Sequence, residues 1–298
     1  MIVLNQNLSE VDGGRRPTAM SSMTPQQIKN EAAVVMRQGL SSQAWQVLDL
    51  LFAGGVMTAD QLGMTTRTLR RYANRRIIAR YIWPSKNIVH ELEEYGLPVE
   101  NGKLYTLGIV GAEIASIRHG KKPSAEYLAY RFERVLRRVI VNEIVLRIAA
   151  EAESHGWDMV WTAKQEARLF RDDDLILEPD AFIRLERGDE EFPLLLEVHH
   201  ENKRRRAIQK VHEYEYAQES DLWQDAWDVR SFPTILAVFQ DKIVGEGYSN
   251  GVKEATPVRC DYHGRLLEGI WEKGGMDSWF HINAQRKGNV FPWLRDGA

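Results

Sequence analysis

Apolar residues recur at helical spacing from Leu40 to Ala53, where Trp45, Leu48, Leu51 and Phe52 line one side before Gly54-Gly55 stops the pattern. Thr58 is an N-cap candidate for a short second helix that closes at Gly63, as in a helix-turn-helix turn. A third helix is predicted from Thr65-Thr66 to about Ile78. Its pattern is two-sided: Leu69, Tyr72 and Ala73 share one face, and Arg67, Arg70, Arg71 and Asn74 share the other. Strands are predicted at Tyr81-Ile82-Trp83 and Lys103 to Leu107 around a long loop, then a closing helix at Gly108 to Ile117. A strand pair after a helix-turn-helix reads as a wing.

The pattern changes after the polar connector His119 to Ser124. Ala125 to His155 is a long helical stretch, in one piece or two, with Leu136, Val139, Ile140, Ile144, Leu146 and Ile148 apolar on more than one side, as suits a helix on a sheet. Short β-rich runs follow at Trp157 to Ala163, Glu178 to Leu185, Phe192 to His199 and Phe232 to Gln240, with a helix at about Asn202 to Glu219 before the last. Thr256 to Trp271 is expected to add two strands, and Gly245 to Gly251 to form a loop. The expected architecture is therefore α+β/α/β: a disordered arm at 1–23, a winged helix-turn-helix at 24–120, and an α/β domain with a central mixed sheet at 121–298.

Charge changes this picture at one place. From Gln61 to His90 there is no Asp or Glu, while Arg67, Arg70, Arg71, Arg75, Arg76, Arg80 and Lys86 are all cationic. The whole chain carries a formal net charge of −3, so positive charge is segregated, the footprint of a polyanion partner. Arg and Asn on an exposed helix face can pair bidentately with guanine and adenine edges in a major groove, and Thr65 and Thr66 at the helix start suit a phosphate. Arg75 and Lys86 extend the basic surface.

Composition excludes several classes. A single cysteine, Cys260, rules out an internal disulfide framework and a cysteine-based zinc cluster. Arg15-Arg16 lacks a following apolar segment and is no export signal; no stretch reaches bilayer-spanning length, and a cytoplasmic location is expected. No glycine-rich phosphate loop follows a strand, and His199, His200 and His212 lack metal-ligand spacing.

A second constellation lies in the α/β half. Glu197 follows Leu194-Leu195-Leu196 on an expected inner strand and shares a side with Leu195 and His199. A carboxylate there needs a partner. Asp180 and Glu197 at adjacent strand ends are the minimum oxygen cage for Mg²⁺. A Pro-Asp strand end, a Glu-x-Lys strand and flanking helices are the pattern of the restriction-endonuclease-like superfamily, the PD-(D/E)xK fold. Pro179-Asp180 and Glu197 match it, and Glu143 on the preceding helix matches the additional acid of some members. His199 stands where the pattern has Lys; Lys203 or Lys210 on the next helix could return a cation to the site.

The combination of Leu104-Tyr105-x-Leu107-x-x-x-Gly111-x-x-x-Ala115, Val141-Asn142-Glu143, Glu178-Pro179-Asp180-Ala181, Leu196-Glu197-Val198-His199 and Lys210-x-x-x-Tyr214 resembles the plasmid replication-relaxation family over roughly residues 40–240. His199 departs from that family's usual Glu-Val-Asp. The resemblance implies a DNA-binding protein of a plasmid or mobile element, acting in replication, relaxation, mobilisation or its control, with a degenerate nuclease-like domain. It implies double-stranded DNA as partner, with a homodimer and other replication or mobilisation proteins as further candidates. The alternative is a Mg²⁺-dependent endonuclease or nickase with Asp180, Glu197 and Glu143 as candidate metal ligands and His199, Lys203 or Lys210 assisting; a third is a winged-helix transcriptional regulator.

Overall fold

The computed structural model describes residues 10–12, 23–82, 88–97, 99, 102–199, 204–272 and 276–295. It is a mixed α/β structure with helices toward the N-terminus and a large mixed sheet, and it divides into two compact units, Met1–Asn142 and Glu143–Ala298. The division falls beyond the connector at 119–124.

In the first unit, strand β1 (Glu10–Asp12) lies within the segment expected to be an unstructured arm. Helices α1 (Pro25–Gln38) and α2 (Ser42–Gly54) follow, then β2 (Met57–Thr58), α3 (Thr66–Asn74), β3 (Ile78–Ile82), α4 (Ile88–Glu94), β4 (Leu104–Leu107) and α5 (Ile109–His119). The sheet order is β1-β3-β4-β2, with β3 and β2 antiparallel to β4 and β1 parallel to β3. Helix α1, which the sequence reading did not anticipate, starts with a capping box between Thr24 and Gln27.

The expected second helix is instead a set of turns at 59–63. Thr58 still acts as foreseen: its hydroxyl accepts from Gln61 N, and Gln61 Oε1 accepts from Thr58 N, both at 3.1 Å. The segment is held as one capped turn because Gly63, at φ +60°, reverses the chain at once. Helix α3 also ends earlier than expected, since Arg76 takes φ 57° and turns the chain into β3. The N-terminal amides of α5 seize that turn: Gly108 N donates to Ile77 O, and Val110 N and Gly111 N donate to Arg76 O. Gly111 permits the approach, since a Cβ there would lie 1.8 Å from Ile77 O.

A 3₁₀ turn (Glu126–Ala129) precedes the long helix α6 (Phe132–Ser154), matching the two-piece reading of that stretch. In its first half Arg138 donates to Ala53 O and Gly54 O, and Asn142 donates to Gly54 O and Val56 O. These buried donors satisfy carbonyls that the end of α2 leaves without helical partners.

The second unit continues with β5 (Asp158–Thr162), the hairpin β6 (Leu169–Arg171) and β7 (Asp174–Leu177), β8 (Ala181–Arg187), β9 (Glu190–His199), α7 (Arg204–Glu219) and α8 (Leu222–Trp227). Then come β10 (Thr234–Phe239), α9 (Lys242–Glu254), β11 (Tyr262–Leu266), α10 (Leu267–Trp271), β12 (Trp279–His281), β13 (Arg286–Gly288) and α11 (Pro292–Arg295). Seven strands run in the order β13-β12-β11-β10-β9-β8-β5, with β9, β10 and β11 parallel and the flanks antiparallel. Helices α7 and α9 are the crossovers that parallel neighbours require.

Two expectations are corrected here. Gly245 to Gly251 lies inside α9, where Asp241 caps the start by accepting from Val244 N, and Thr256 to Trp271 gives one strand and a short helix. Local glycine content misled in the first case; the apolar face of α9, with Val244, Tyr248 and Val252 buried in the core beside Val211 and Tyr214, decides it.

Candidate functional site

Helix α3 is held by its apolar side. Leu69, Tyr72 and Ala73 are buried, at 0%, 5% and 7% exposure, and Arg67, Arg70, Arg71 and Asn74 are all exposed. Thr65 caps the helix by accepting from Thr68 N, and Thr65 and Thr66 are exposed at its start. Arg75 is exposed just past the helix and donates to Gln38 Oε1 at 2.6 Å, so α1 fixes its direction. Arg71 lies over the Tyr72 ring at 5.6 Å. Lys86 lies outside the described residues. The arrangement presents a row of guanidinium groups and an amide on one rigid element.

In the second unit, Asp180 immediately precedes β8 and Glu197 sits on β9, at 4% and 3% exposure. Asp180 N donates to Leu196 O, and Asp180 Oδ2 accepts from Val198 N at 2.8 Å, which pins this carboxylate beside Glu197. Glu197 Oε2 accepts from Tyr214 Oη at 3.0 Å and lies 3.7 Å from Lys210 Nζ. Lys210 also donates to Glu178 O at 2.9 Å and pairs with Glu213 at 3.2 Å. The ammonium proposed to return from the next helix is therefore there, carried by α7 one turn before Tyr214.

The sequence reading missed two partners. Lys164, in the turn after β5, lies 3.7 Å from Asp180 Oδ1 and 3.9 Å from Glu178 Oε1; Arg168 grips Glu178 Oε1 through Nε and Nη2 at 2.8 and 2.6 Å. No local spacing announces Lys164, because β5 reaches Asp180 only through its pairing with β8. Tyr214 was visible only as part of a motif.

Electrostatics follow from burial. Burial pushes the Lys210 ammonium down, but the carboxylates of Glu197, Glu213 and Asp180 outweigh it and hold its pKa above the ordinary value. Lys210 is thus a fixed positive charge at neutral pH and cannot serve as a base. Burial and the charge of Glu197 raise Tyr214 well above the usual phenol range, so it remains a donor.

The other predicted residues have their own partners. His199, half-buried at the end of β9, turns its ring against Phe239 and Tyr248, with ring centres 5.9 and 4.8 Å away. Glu143, on α6, accepts from Arg147 Nε at 3.1 Å. Lys203 lies outside the described residues. The acidic end of α7, which sits on the unfavourable side of the helix dipole, is compensated in place: Glu215 accepts from Arg259 N, Cys260 N and Tyr262 Oη, and Glu219 pairs with Arg259.

No helix among the described residues is long and apolar enough to cross a membrane. Compared with family models, curated proteins and solved structures, the chain matches none.

Proposed function

We propose that the chain binds duplex DNA through the exposed face of α3, with residues 24–120 acting as a winged helix-turn-helix, and that it serves a plasmid or other mobile element in replication, relaxation, mobilisation or its control. The carrying observation is the division of α3 into a buried Leu69, Tyr72, Ala73 side and an exposed Arg67, Arg70, Arg71, Asn74 side. The antiparallel pairing of β2 and β3 on β4 supports the wing. Arg67, Arg70, Arg71 and Asn74 would read base edges, and Thr65, Thr66 and Arg75 would hold phosphates. The mobile-element role comes from the sequence resemblance alone.

A metal-dependent cut is the second reading, favoured by the approach of Lys210 to Glu197. In it the second unit is restriction-endonuclease-like, and Asp180 and Glu197 would hold Mg²⁺, which when bound supplies neutralisation of phosphate charge and a more acidic water. Lys210 would stabilise negative charge as a permanent ammonium. Lys164, 3.7 Å from Asp180 Oδ1, is a competing cation that Mg²⁺ would have to displace.

Supercoiled plasmid incubated with the protein, with Mg²⁺ or Mn²⁺ and with chelator, separates the two. Binding in a gel shift that Arg70→Ala and Arg71→Ala weaken, without nicking in either metal, is the expected result. Metal-dependent nicking that Asp180→Asn and Glu197→Gln abolish in protein that still melts cooperatively would establish the second reading, and a gel shift undiminished in both arginine variants would sink the first.

A further inference from the structure

A second cluster of titratable side chains lies away from Asp180 and Glu197. Asp261, His263 and His281 bring their ligand atoms within 4.8 Å of one another, the only such group of three among the described residues. His281 Nε2 lies 2.8 Å and His263 Nε2 3.2 Å from Asp261 Oδ1. We propose that these three residues form a site for a divalent transition metal of the zinc class, with its remaining coordination positions open to solvent or to a ligand.

The placement follows from the sheet. His263 and His281 are opposite each other on antiparallel strands β11 and β12. Ile282 N donates to Tyr262 O, so they form the non-hydrogen-bonded kind of pair, whose side chains stand closest. Their rings stack at 4.6 Å and 9°. Asp261 is two residues before His263 and so projects to the same face. Thr234 Oγ1 donates to Asp261 Oδ2 at 3.4 Å, and Asn283 braces the backbone by accepting from Tyr262 N and donating to Cys260 O. The ligands thus stand on paired strands, on a supported backbone.

Two of the distances suit an ion. Imidazole nitrogen and carboxylate oxygen bind zinc at about 2.0–2.2 Å, so two ligands at a right or tetrahedral angle lie roughly 2.9–3.4 Å apart. The two histidine–carboxylate separations, 2.8 and 3.2 Å, lie near or within that range, while the three ligand atoms together span up to 4.8 Å, so the side chains close slightly on an ion. Two histidines and one carboxylate is a donor set for Zn²⁺, Fe²⁺, Co²⁺ or Ni²⁺ rather than for Mg²⁺. His263 is buried, with its side chain 6% exposed, while His281 and Asp261 are 26% and 43% exposed, which leaves an entry path. His263 Nδ1 is buried with no hydrogen-bond partner, and a missing partner of this kind weakens binding about 10–100-fold. Moderate, exchangeable affinity is therefore expected.

The site is independent of the DNA reading and of Asp180 and Glu197. His263 aligns with Leu236 and through it with Leu196, whereas Glu197 aligns with Ala237 and Gly264; alternation puts the two sets on opposite faces of the sheet.

The test uses the full chain, stripped with chelator, titrated with Zn²⁺ by calorimetry and with Co²⁺ by visible absorption. One equivalent should bind in the presence of excess Mg²⁺, the melting temperature should rise with Zn²⁺, and His281→Gln and Asp261→Asn should each lower affinity at least tenfold while melting like the metal-free parent. His212→Gln, at an exposed position, should leave binding unchanged. Absence of Zn²⁺ and Co²⁺ binding, or equal binding by His281→Gln and the parent, would overturn the proposal.

Discussion

Arg70 and Arg71 differ from Leu69 by one and two positions but do opposite work. Both arginines are exposed, so Arg70→Ala or Arg71→Ala should change stability by less than about 0.5 kcal/mol. On the proposed DNA reading, each should nevertheless weaken duplex binding by about 1–3 kcal/mol, roughly fivefold to 150-fold in Kd, and flatten its salt dependence. Leu69→Ala should reverse the pattern, costing about 2–5 kcal/mol in urea unfolding because its side chain is wholly buried. In the second unit, Glu197→Ala removes the partner that faces both the Lys210 ammonium and the Tyr214 hydroxyl. Breaking a buried pair from one side costs about 3–5 kcal/mol, so this variant should be among the most destabilised, visible as a lower denaturation midpoint. Glu197→Gln keeps an acceptor for Tyr214 and should lose less.

At the scale of elements, the aim of α3 depends on how its C-terminal turn is held. Arg76 and Ile77 carbonyls receive the first amides of α5, and Gly111 is the point of closest approach. Gly111→Ala would drive a Cβ into the Ile77 carbonyl, and the helix must then move. A loss of several kcal/mol, beyond the typical range of about 0.5–3 for single changes, is expected on thermal unfolding, together with weakened DNA binding that no arginine was removed to cause. If the variant melts like the parent, α5 does not position α3 in this way. The sheet elements show a comparable dependence: β9 supplies Glu197, the start of β8 supplies Asp180, and α7 supplies Lys210, so the charged cluster exists only when all three are paired or packed.

Across the whole molecule, buried tyrosines set the alkaline limit. Burial pushes Tyr127 up to about 12, and burial with nearby charge raises Tyr214, Tyr248 and Tyr262 well above the usual phenol range. Lys210 is raised as well. For a group whose folded pKa lies above its unfolded value, stability is fully present below the unfolded value and is lost as pH rises toward the folded one. With unfolded values of about 10 for tyrosine and about 10.4 for lysine, these groups take nothing from stability near neutral pH and progressively more above pH of about 10. Tyrosinate absorbance should therefore appear together with loss of the circular dichroism signal, in a cooperative step. A gradual rise in absorbance with the fold intact would show that the tyrosines reach solvent without unfolding.

Much of the chain was legible because local pattern and tertiary demand coincide. The two faces of α3, the cap at Thr58, the strand with Leu194-Leu195-Leu196-Glu197 and the boundaries of α7 all follow from periodicity and capping, which act over a few residues. Where those signals fell silent or misled, distant contacts had decided. Glycines at 245, 247 and 251 lie in a helix because its other face is buried; His199 meets the rings of Phe239 and Tyr248, which reach it from other elements. Lys164 meets Asp180 through strand pairing, and Asp261, His263 and His281 meet because β11 and β12 set two histidines opposite each other across eighteen positions of sequence. Side-chain type and local spacing thus determined which surfaces are basic and which strand carries the acid, whereas convergence of groups far apart in the chain is a property of sheet register, which only the folded structure fixes.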